Sequence, residues 1–406
     1  MGYFNSALKG LSWMTAFRIF YRLIGVARIA VIARILSPYG LGVWGIVTML
    51  LGFLEIITET GINVFLVQEK DNIDDFVNTA WIVSIFRGIL IALLILISGS
   101  FVSQFFKSPE SKNLFYLVAL VPFIRGFINP SIMKFQKELR FNKEFFYRAS
   151  IFFVESVLSV IGVLITKSAL GLVLGIIFSA LYEVVYTFIV ARPRPIFNFD
   201  LLKMKRVFNR GKWITLFGIF DYLYTQMDNV IVGRILGVSS IGIYDTAYTI
   251  STTPLTEVGD IFFRVTFPIF SKISSETDRL KKAFIKTLVV NSAVMIASGV
   301  LIFIFADLIV KILFGNNWTS TVPVVKLLSV LGVTRGIASS TNSLLVAKGM
   351  QKYSAIVTLV STLGLLITIV PLIKSYGIVG AAISAIIGTV ISLPLTIYFV
   401  NKTLKE

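Results

Sequence analysis

The chain has no cysteine and no histidine in 406 residues. Without cysteine it forms no disulfide and offers no thiolate as nucleophile or metal ligand. Without histidine, Ser-His-Asp and Cys-His relays are excluded, as are zinc and haem sites that need an imidazole. Most membrane metalloproteases and histidine-dependent acyltransferases drop out with them. Charge is also scarce: 15% of residues are charged, against about 25% in a soluble domain. No glycine-rich phosphate loop with a Walker lysine is present, so this chain alone cannot be a nucleotide-driven pump. It has no RNA-recognition, zinc-finger or basic-region pattern, and no nucleic-acid partner is expected. No cofactor or metal is expected either. The amino terminus lacks a basic region followed by a short apolar core and a small-residue cleavage site, so no cleaved signal is expected.

What the chain has instead is apolar length. Hydrophobic residues make up 56% of it, and the mean hydropathy is +0.86. Twelve stretches are long enough to cross about 30 Å of hydrocarbon, which takes roughly 20 helical residues. They run 11–35, 40–65, 78–102, 113–131, 148–166, 169–191, 213–235, 240–266, 284–310, 321–347, 353–373 and 377–399. The first and seventh carry several charges. An even number of spans puts both termini on one side. With the amino terminus inside, the inner segments hold 23 Lys and Arg and the outer ones 5. The net charge of +17 is therefore read as the positive-inside bias of a membrane protein.

Between the sixth and seventh spans, Arg192 to Lys212 contains Arg192-Pro193-Arg194-Pro195 and a basic amphipathic stretch from Phe199 to Phe208. This is expected to be a cytoplasmic linker with a helix on the membrane surface. It separates an amino-terminal half, 1–191, from a carboxy-terminal half, 213–406. A shift of 200 residues aligns Trp13 with Trp213, Phe17 with Phe217 and Ile19-Phe20 with Ile219-Phe220. It also aligns Leu23 with Leu223, Arg34-Ile35-Leu36 with Arg234-Ile235-Leu236, and Gly42 with Gly242. The expected fold is thus all-α and polytopic, with about twelve transmembrane helices in two six-helix bundles related as a parallel repeat.

Charge inside a bilayer is costly and usually faces a cavity or a partner. Ten basic residues are assigned to spans rather than loops: Arg18, Arg22, Arg28, Arg34, Arg87, Arg125, Arg234, Arg264, Lys326 and Arg335. About nine acids are too: Glu55, Glu59, Glu155, Glu183, Asp221, Asp228, Asp245, Glu257 and Asp260. Arg18 and Arg22 are four apart and share a helix face, with Gly25 extending it and Arg28 a little around. Paired guanidiniums suit phosphate, since each offers a planar fork of donors. The competing reading has Arg18 snorkelling to the inner interface and the others pairing with Glu55 or Glu59. Arg34 and Arg234 sit at span ends and read as interface anchors. Thr48, Gly52, Glu55, Glu59 and Asn63 form a polar stripe on span 2. Asp221, Tyr224, Thr225 and Asp228 do so on span 7, and Asp245, Thr249, Thr252, Thr256 and Asp260 on span 8. Such stripes line wet cavities or glue helices together. Gly377, Gly380 and Gly388 read as close helix packing. The expected substrate-binding set is Arg18, Arg22, Arg28, Glu55, Glu59, Asp221, Asp228, Asp245, Asp260 and Arg335.

Four stretches in order carry a resemblance. They are Arg34-Ile-Leu-Ser-Pro-Tyr-Gly-Leu-Gly-Val-Trp44, Lys137-Glu-Leu-Arg-Phe141, Met227-Asp-Asn-Val-Ile-Val-Gly-Arg-Ile-Leu-Gly237 with Ile241-Gly-Ile-Tyr244, and Phe267-Pro-Ile-Phe-Ser-Lys272. Together they resemble the Wzx-type polysaccharide transporter family of oligosaccharide flippases, in the multidrug/oligosaccharidyl-lipid/polysaccharide exporter superfamily. The resemblance implies two six-helix bundles and a substrate of undecaprenyl-pyrophosphate carrying a sugar repeat unit. It also implies a bacterial or archaeal inner membrane, contact with membrane lipids, and a polysaccharide polymerase and chain-length regulator as partners. Three alternatives remain open: an ion-coupled exporter of small molecules, which the basic first span disfavours, a membrane glycosyltransferase or polymerase, which the short outer loops disfavour, and a non-transporting scaffold, which the charges within spans disfavour.

The charge bias predicts that Ser239 lies outside and Ser275 inside. In the cysteine-free chain, a single cysteine at Ser239 should react with an impermeant thiol reagent on whole cells. One at Ser275 should stay unlabelled until the membrane is opened. The reverse pattern would overturn the topology.

Overall fold

The computed structural model describes residues 3–59, 66, 73–198 and 200–405, the side chains of 3–12, 14, 15, 201–203, 205–217, 221 and 224 aside. All regular secondary structure among the described residues is helical. The first half contains α1 (Tyr3–Ile35), α2 (Pro38–Ile57), α3 (Asp74–Phe105), α4 (Pro109–Val118), α5 (Leu120–Arg125), α6 (Lys134–Lys137), α7 (Phe141–Thr166) and α8 (Leu170–Val190). The second contains α9 (Leu201–Leu236), α10 (Val238–Ser251), α11 (Thr253–Lys272), α12 (Thr277–Ile304), α13 (Ala306–Phe314), α14 (Val322–Ala347) and α15 (Gln351–Thr403). Each of the twelve expected stretches contains helix, and the chain is all-α and polytopic. Among the described residues, seven helices are long and apolar enough to cross a membrane by themselves. The segment Pro109–Arg125 with Pro130–Lys137, bent by 68°, brings the number to eight. The helices that fail this test do so for physical reasons. Arginines crowd α1 and charges crowd α9, and α10 has only 14 residues.

Four expected spans are not continuous helices; one of them, 284–310, turns at Phe305 between α12 and α13. Span 2 ends at Ile57, so Glu59 lies past the helix rather than on its polar stripe, and Asn63 lies outside the described residues. Span 4 breaks at Ala119, because Pro122 has no N–H to give the carbonyl of Val118. In the same way Pro254 offers nothing to Ile250, and span 8 divides at Thr252. Its stripe of Asp245, Thr249, Thr252, Thr256 and Asp260 therefore crosses a break. In α15, Gly377 adopts φ 59°, ψ −139°, and it separates the last two spans. It turns the chain, while Gly380 and Gly388 press against the facing arm's backbone as expected.

By internal contacts the chain divides into two compact units, Met1–Met227 and Asp228–Glu406, and α9 runs through the boundary. The proposed repeat has a counterpart in helix ends. Arg34 lies in the last turn of α1 and Arg234 in the last turn of α9, and the next helices begin at Pro38 and Val238. At the first junction Ser37 caps α2 by accepting from the Gly40 amide at 3.4 Å, with Pro38 in the first helical position.

Small residues set the closest packing in the first unit. Gly162 of α7 faces Gly171 of α8, so that a Cβ on Gly162 would lie 2.9 Å from the Gly171 Cα. One turn on, Gly175 abuts Ser159. Such contacts let backbones approach where no hydrophobic drive separates protein from lipid. In the second unit α14 is the hub, packed against α10, α11, α12 and α15.

Gly171→Val forces a side chain into that approach and should cost about 1–3 kcal/mol. Gly25→Ala, whose Cβ would meet only a Phe152 ring atom at 3.8 Å, should be neutral or stabilising. Thermal unfolding of the two variants in detergent checks the contrast; equal midpoints would contradict it.

Candidate functional site

The charged side chains of the first unit gather around a cavity of about 520 Å³ between α1, α2, α3, α5, α7 and α8. Its geometry begins with the end of α2. The last carbonyls of a helix lack partners, and Arg87 of α3 supplies them. Its Nε donates to Thr58 O at 2.9 Å and its Nη2 to Glu55 O at 2.6 Å. The same guanidinium donates to the Glu59 carboxylate at 3.3 Å. A cation at a helix carboxy terminus also meets the negative end of the helix dipole. Arg125, the last residue of α5, lies 3.7 Å from Glu55 and 3.5 Å from Glu183 of α8. Glu183 also accepts from the Tyr147 hydroxyl of α7 at 2.7 Å. Deeper along α7, Glu155 accepts from Arg28 of α1 at 2.7 Å.

Three arginines (87, 125, 148) and three glutamates (55, 155, 183) line this cavity. Its charge is balanced, and every acid named has a cationic or hydroxyl neighbour. A second cavity of about 320 Å³ is lined by Trp13, Phe17, Arg18, Gln136, Phe141, Glu144, Phe145 and Arg148. Phe17 and Arg148 line both cavities, so the two are adjacent. Arg148 is held by Glu144, one turn before it, at 3.0 Å.

In the second unit the polar cluster is smaller. Asp228, near the end of α9, is buried and accepts from the Tyr244 hydroxyl at 3.0 Å and from the Asn229 amide at 2.8 Å. Arg335 of α14 donates to the Tyr248 hydroxyl, its guanidinium 5.6 Å from that ring's centroid. Arg335 is within electrostatic reach of Asp228.

The expected site residues thus fall into separate settings. Arg18 is half-buried beside the second cavity, Arg22 is exposed, and Arg28 is paired with Glu155. Neither Glu55 nor Glu59 is the partner of Arg28: Glu55 goes with Arg125 and Glu59 with Arg87. Asp228 and Arg335 each bond a tyrosine of α10, Tyr244 and Tyr248 respectively. Asp245 and Asp260 are exposed on α10 and α11, and the Asp221 side chain lies outside the described residues. Sequence reading counted Arg87, Arg125, Glu155 and Glu183 among the buried charges but gave them no role, and it passed over Tyr147 and Tyr244. The number of acids in the first-half spans was the available signal, since each buried arginine requires one.

The polysaccharide biosynthesis protein family matches residues 31–323. The chain belongs to that family. Among its relatives is an uncharacterised membrane protein of the cps region of Klebsiella pneumoniae, 27% identical over 402 residues, covering 97% of this chain and 82% of that one. Another is the lipopolysaccharide biosynthesis protein WzxC of Escherichia coli K12, 24% identical, covering 85% and 70%. The fold is shared with the lipid II flippase MurJ in its inward-closed conformation, which superposes with a TM-score of 0.74 at 15% identity, over 96% of this chain and 88% of that one.

Side chains of Arg28 and Glu155 are only 14% and 17% exposed. Glu155→Ala leaves a half-buried guanidinium without its carboxylate and should cost about 1–3 kcal/mol. The charge swap Arg28→Glu with Glu155→Arg should recover most of that loss, measured by thermal unfolding in detergent. A swap no better than the single variant would show that the pair itself is not what matters.

Proposed function

We propose that this chain is a flippase that carries undecaprenyl-pyrophosphate-linked oligosaccharide repeat units across the inner membrane by alternating access. The product feeds O-antigen, capsule or exopolysaccharide synthesis. It is a transporter, not an enzyme. The observation that carries the reading is the charge-balanced cavity inside an otherwise apolar bundle. A pyrophosphate offers oxygens that can replace glutamate as acceptors for arginine forks. Exchange of one acceptor for another keeps each guanidinium satisfied throughout, which a low-dielectric interior requires. Arg87, Arg125 and Arg148 are the arginines placed for this exchange. The other proposed substrate-binding residues are Arg18, Arg22, Arg28, Glu55, Glu59 and Asp221 in the first unit and Asp228, Asp245, Asp260 and Arg335 in the second.

The reading includes cytoplasmic termini, six-helix bundles at 1–191 and 213–406, and a basic cytoplasmic linker at 192–212. Membrane lipids surround the protein, and a polysaccharide polymerase and a chain-length regulator are its proposed partners. The competing reading is an ion-coupled small-molecule exporter, which would need a cavity of excess negative charge.

Arg125→Gln removes the charge and half of the donor fork, while Arg125→Lys keeps the charge alone. In a strain lacking its repeat-unit flippase, wild type should restore surface polysaccharide. At equal protein level Arg125→Lys should restore it partly and Arg125→Gln at least about tenfold less, corresponding to one charge-assisted hydrogen bond. Full restoration by Arg125→Gln would remove the cavity from the mechanism. Failure of the wild type, together with efflux of organic cations, would favour the exporter.

A further inference from the structure

A third cavity of the first unit lies at the far end from the linker, where the turns after α1, α3 and α7 meet. The charge distribution assigns this end to the outside. Its volume is about 370 Å³, within the roughly 300–1,000 Å³ usual for ligand pockets. Ser37, Tyr39, Glu110, Asn113, Lys167 and Ser168 supply its polar lining. No hydrogen bond or ion pair of the described residues engages the side chains of Tyr39, Glu110, Asn113 or Lys167. Residues bearing a carboxylate, an amide, a phenol and an ammonium thus share the lining of one pocket, the first, second and last of them exposed.

Lys167 sets this pocket apart from an ordinary crevice. It caps the carboxy terminus of α7 in the left-handed conformation, at φ 49°, ψ 29°. Glycine is the favoured residue there, and another side chain costs roughly 1 kcal/mol. The position thus holds a lysine against its backbone preference, in the lining of the pocket. The first turns of α2, α4 and α8 border the same space, adding the positive ends of three helices. Glu110 is the lone acid of the lining and can accept from hydroxyls.

We propose that this pocket is an outer saccharide-binding subsite for a sugar that carries a carboxylate. Lys167 takes the carboxylate, and Tyr39, Asn113 and Glu110 take ring hydroxyls. The identity of the ligand rests on the flippase reading, in which the repeat unit emerges at this end. The pocket would hold the sugar after its passage and bias the movement outward.

The test uses the full-length protein with a single Ser168→Cys in the cysteine-free chain, purified in detergent. The rate of alkylation by N-ethylmaleimide is measured with glucuronate, glucose or inorganic phosphate as probe. Glucuronate should slow alkylation, and glucose should do so less. Adding Lys167→Gly relieves the backbone, so thermal stability should be equal or higher, yet the glucuronate needed for protection should rise roughly tenfold or more. Lys167→Gln, which keeps a long polar side chain, should lose protection likewise. Alkylation unaffected by glucuronate, protection unchanged in either Lys167 variant, or phosphate protecting as well as glucuronate would overturn the proposal. A lower unfolding midpoint for Lys167→Gly would do so too, since the lysine would then be structural. The assay reads the pocket without transport. Failure of the wild type to restore surface polysaccharide in cells, with protection intact, would therefore count against the flippase reading and leave the pocket standing.

Discussion

Arg125 lies between two glutamates from different helices, 3.7 Å from Glu55 and 3.5 Å from Glu183. Hydrocarbon supplies no counter-charge and no water, so a guanidinium within the bundle depends on acids that its neighbours bring. The rest of the first unit follows from that dependence. α8 must present Glu183 on its inner face, α7 must place Tyr147 within 2.7 Å of it, and α2 must end early enough for Arg87 to reach its carbonyls. The cavity is the space left where these side chains meet.

The same constraint takes a neutral form in the second unit. Asn291 of α12 is fully buried and donates to Gly336 O at 3.0 Å and to the Ser340 hydroxyl at 2.8 Å. Thr266 of α11 donates to the Ser343 hydroxyl at 2.8 Å. Short polar side chains on α14 thus fasten it to two neighbours, as they do between helices in lipid. Asp228 accepts from the phenol of Tyr244, and Arg335 donates to that of Tyr248. The two units therefore meet one physical problem differently, the first by ion pairs around a cavity and the second mainly by hydroxyl and amide bonds.

Much of the architecture was legible in the chain itself. Twelve apolar runs are read from residue order because a bilayer demands about 20 of them in succession. Arg34 and Arg234 ending equivalent helices could be seen in the 200-residue shift. The breaks within spans were harder to see. Pro122 and Pro254 were visible, but whether a proline kinks a helix or divides it depends on what its neighbours offer the freed carbonyl. Gly377 looked like its packing neighbours Gly380 and Gly388, because a glycine in sequence does not disclose its φ.

The sequence by itself determined the membrane class, the helical content, the uneven spread of basic residues between alternate loops and the inventory of charge within spans, since each depends on composition along a one-dimensional thread. Tertiary structure alone decided the partners. Arg28 is 27 residues from Glu55 and 127 from Glu155, yet it bonds the latter at 2.7 Å. Ion pairing follows distance in space, and that distance is set by which helix faces pack together, through contacts such as Gly162 on Gly171.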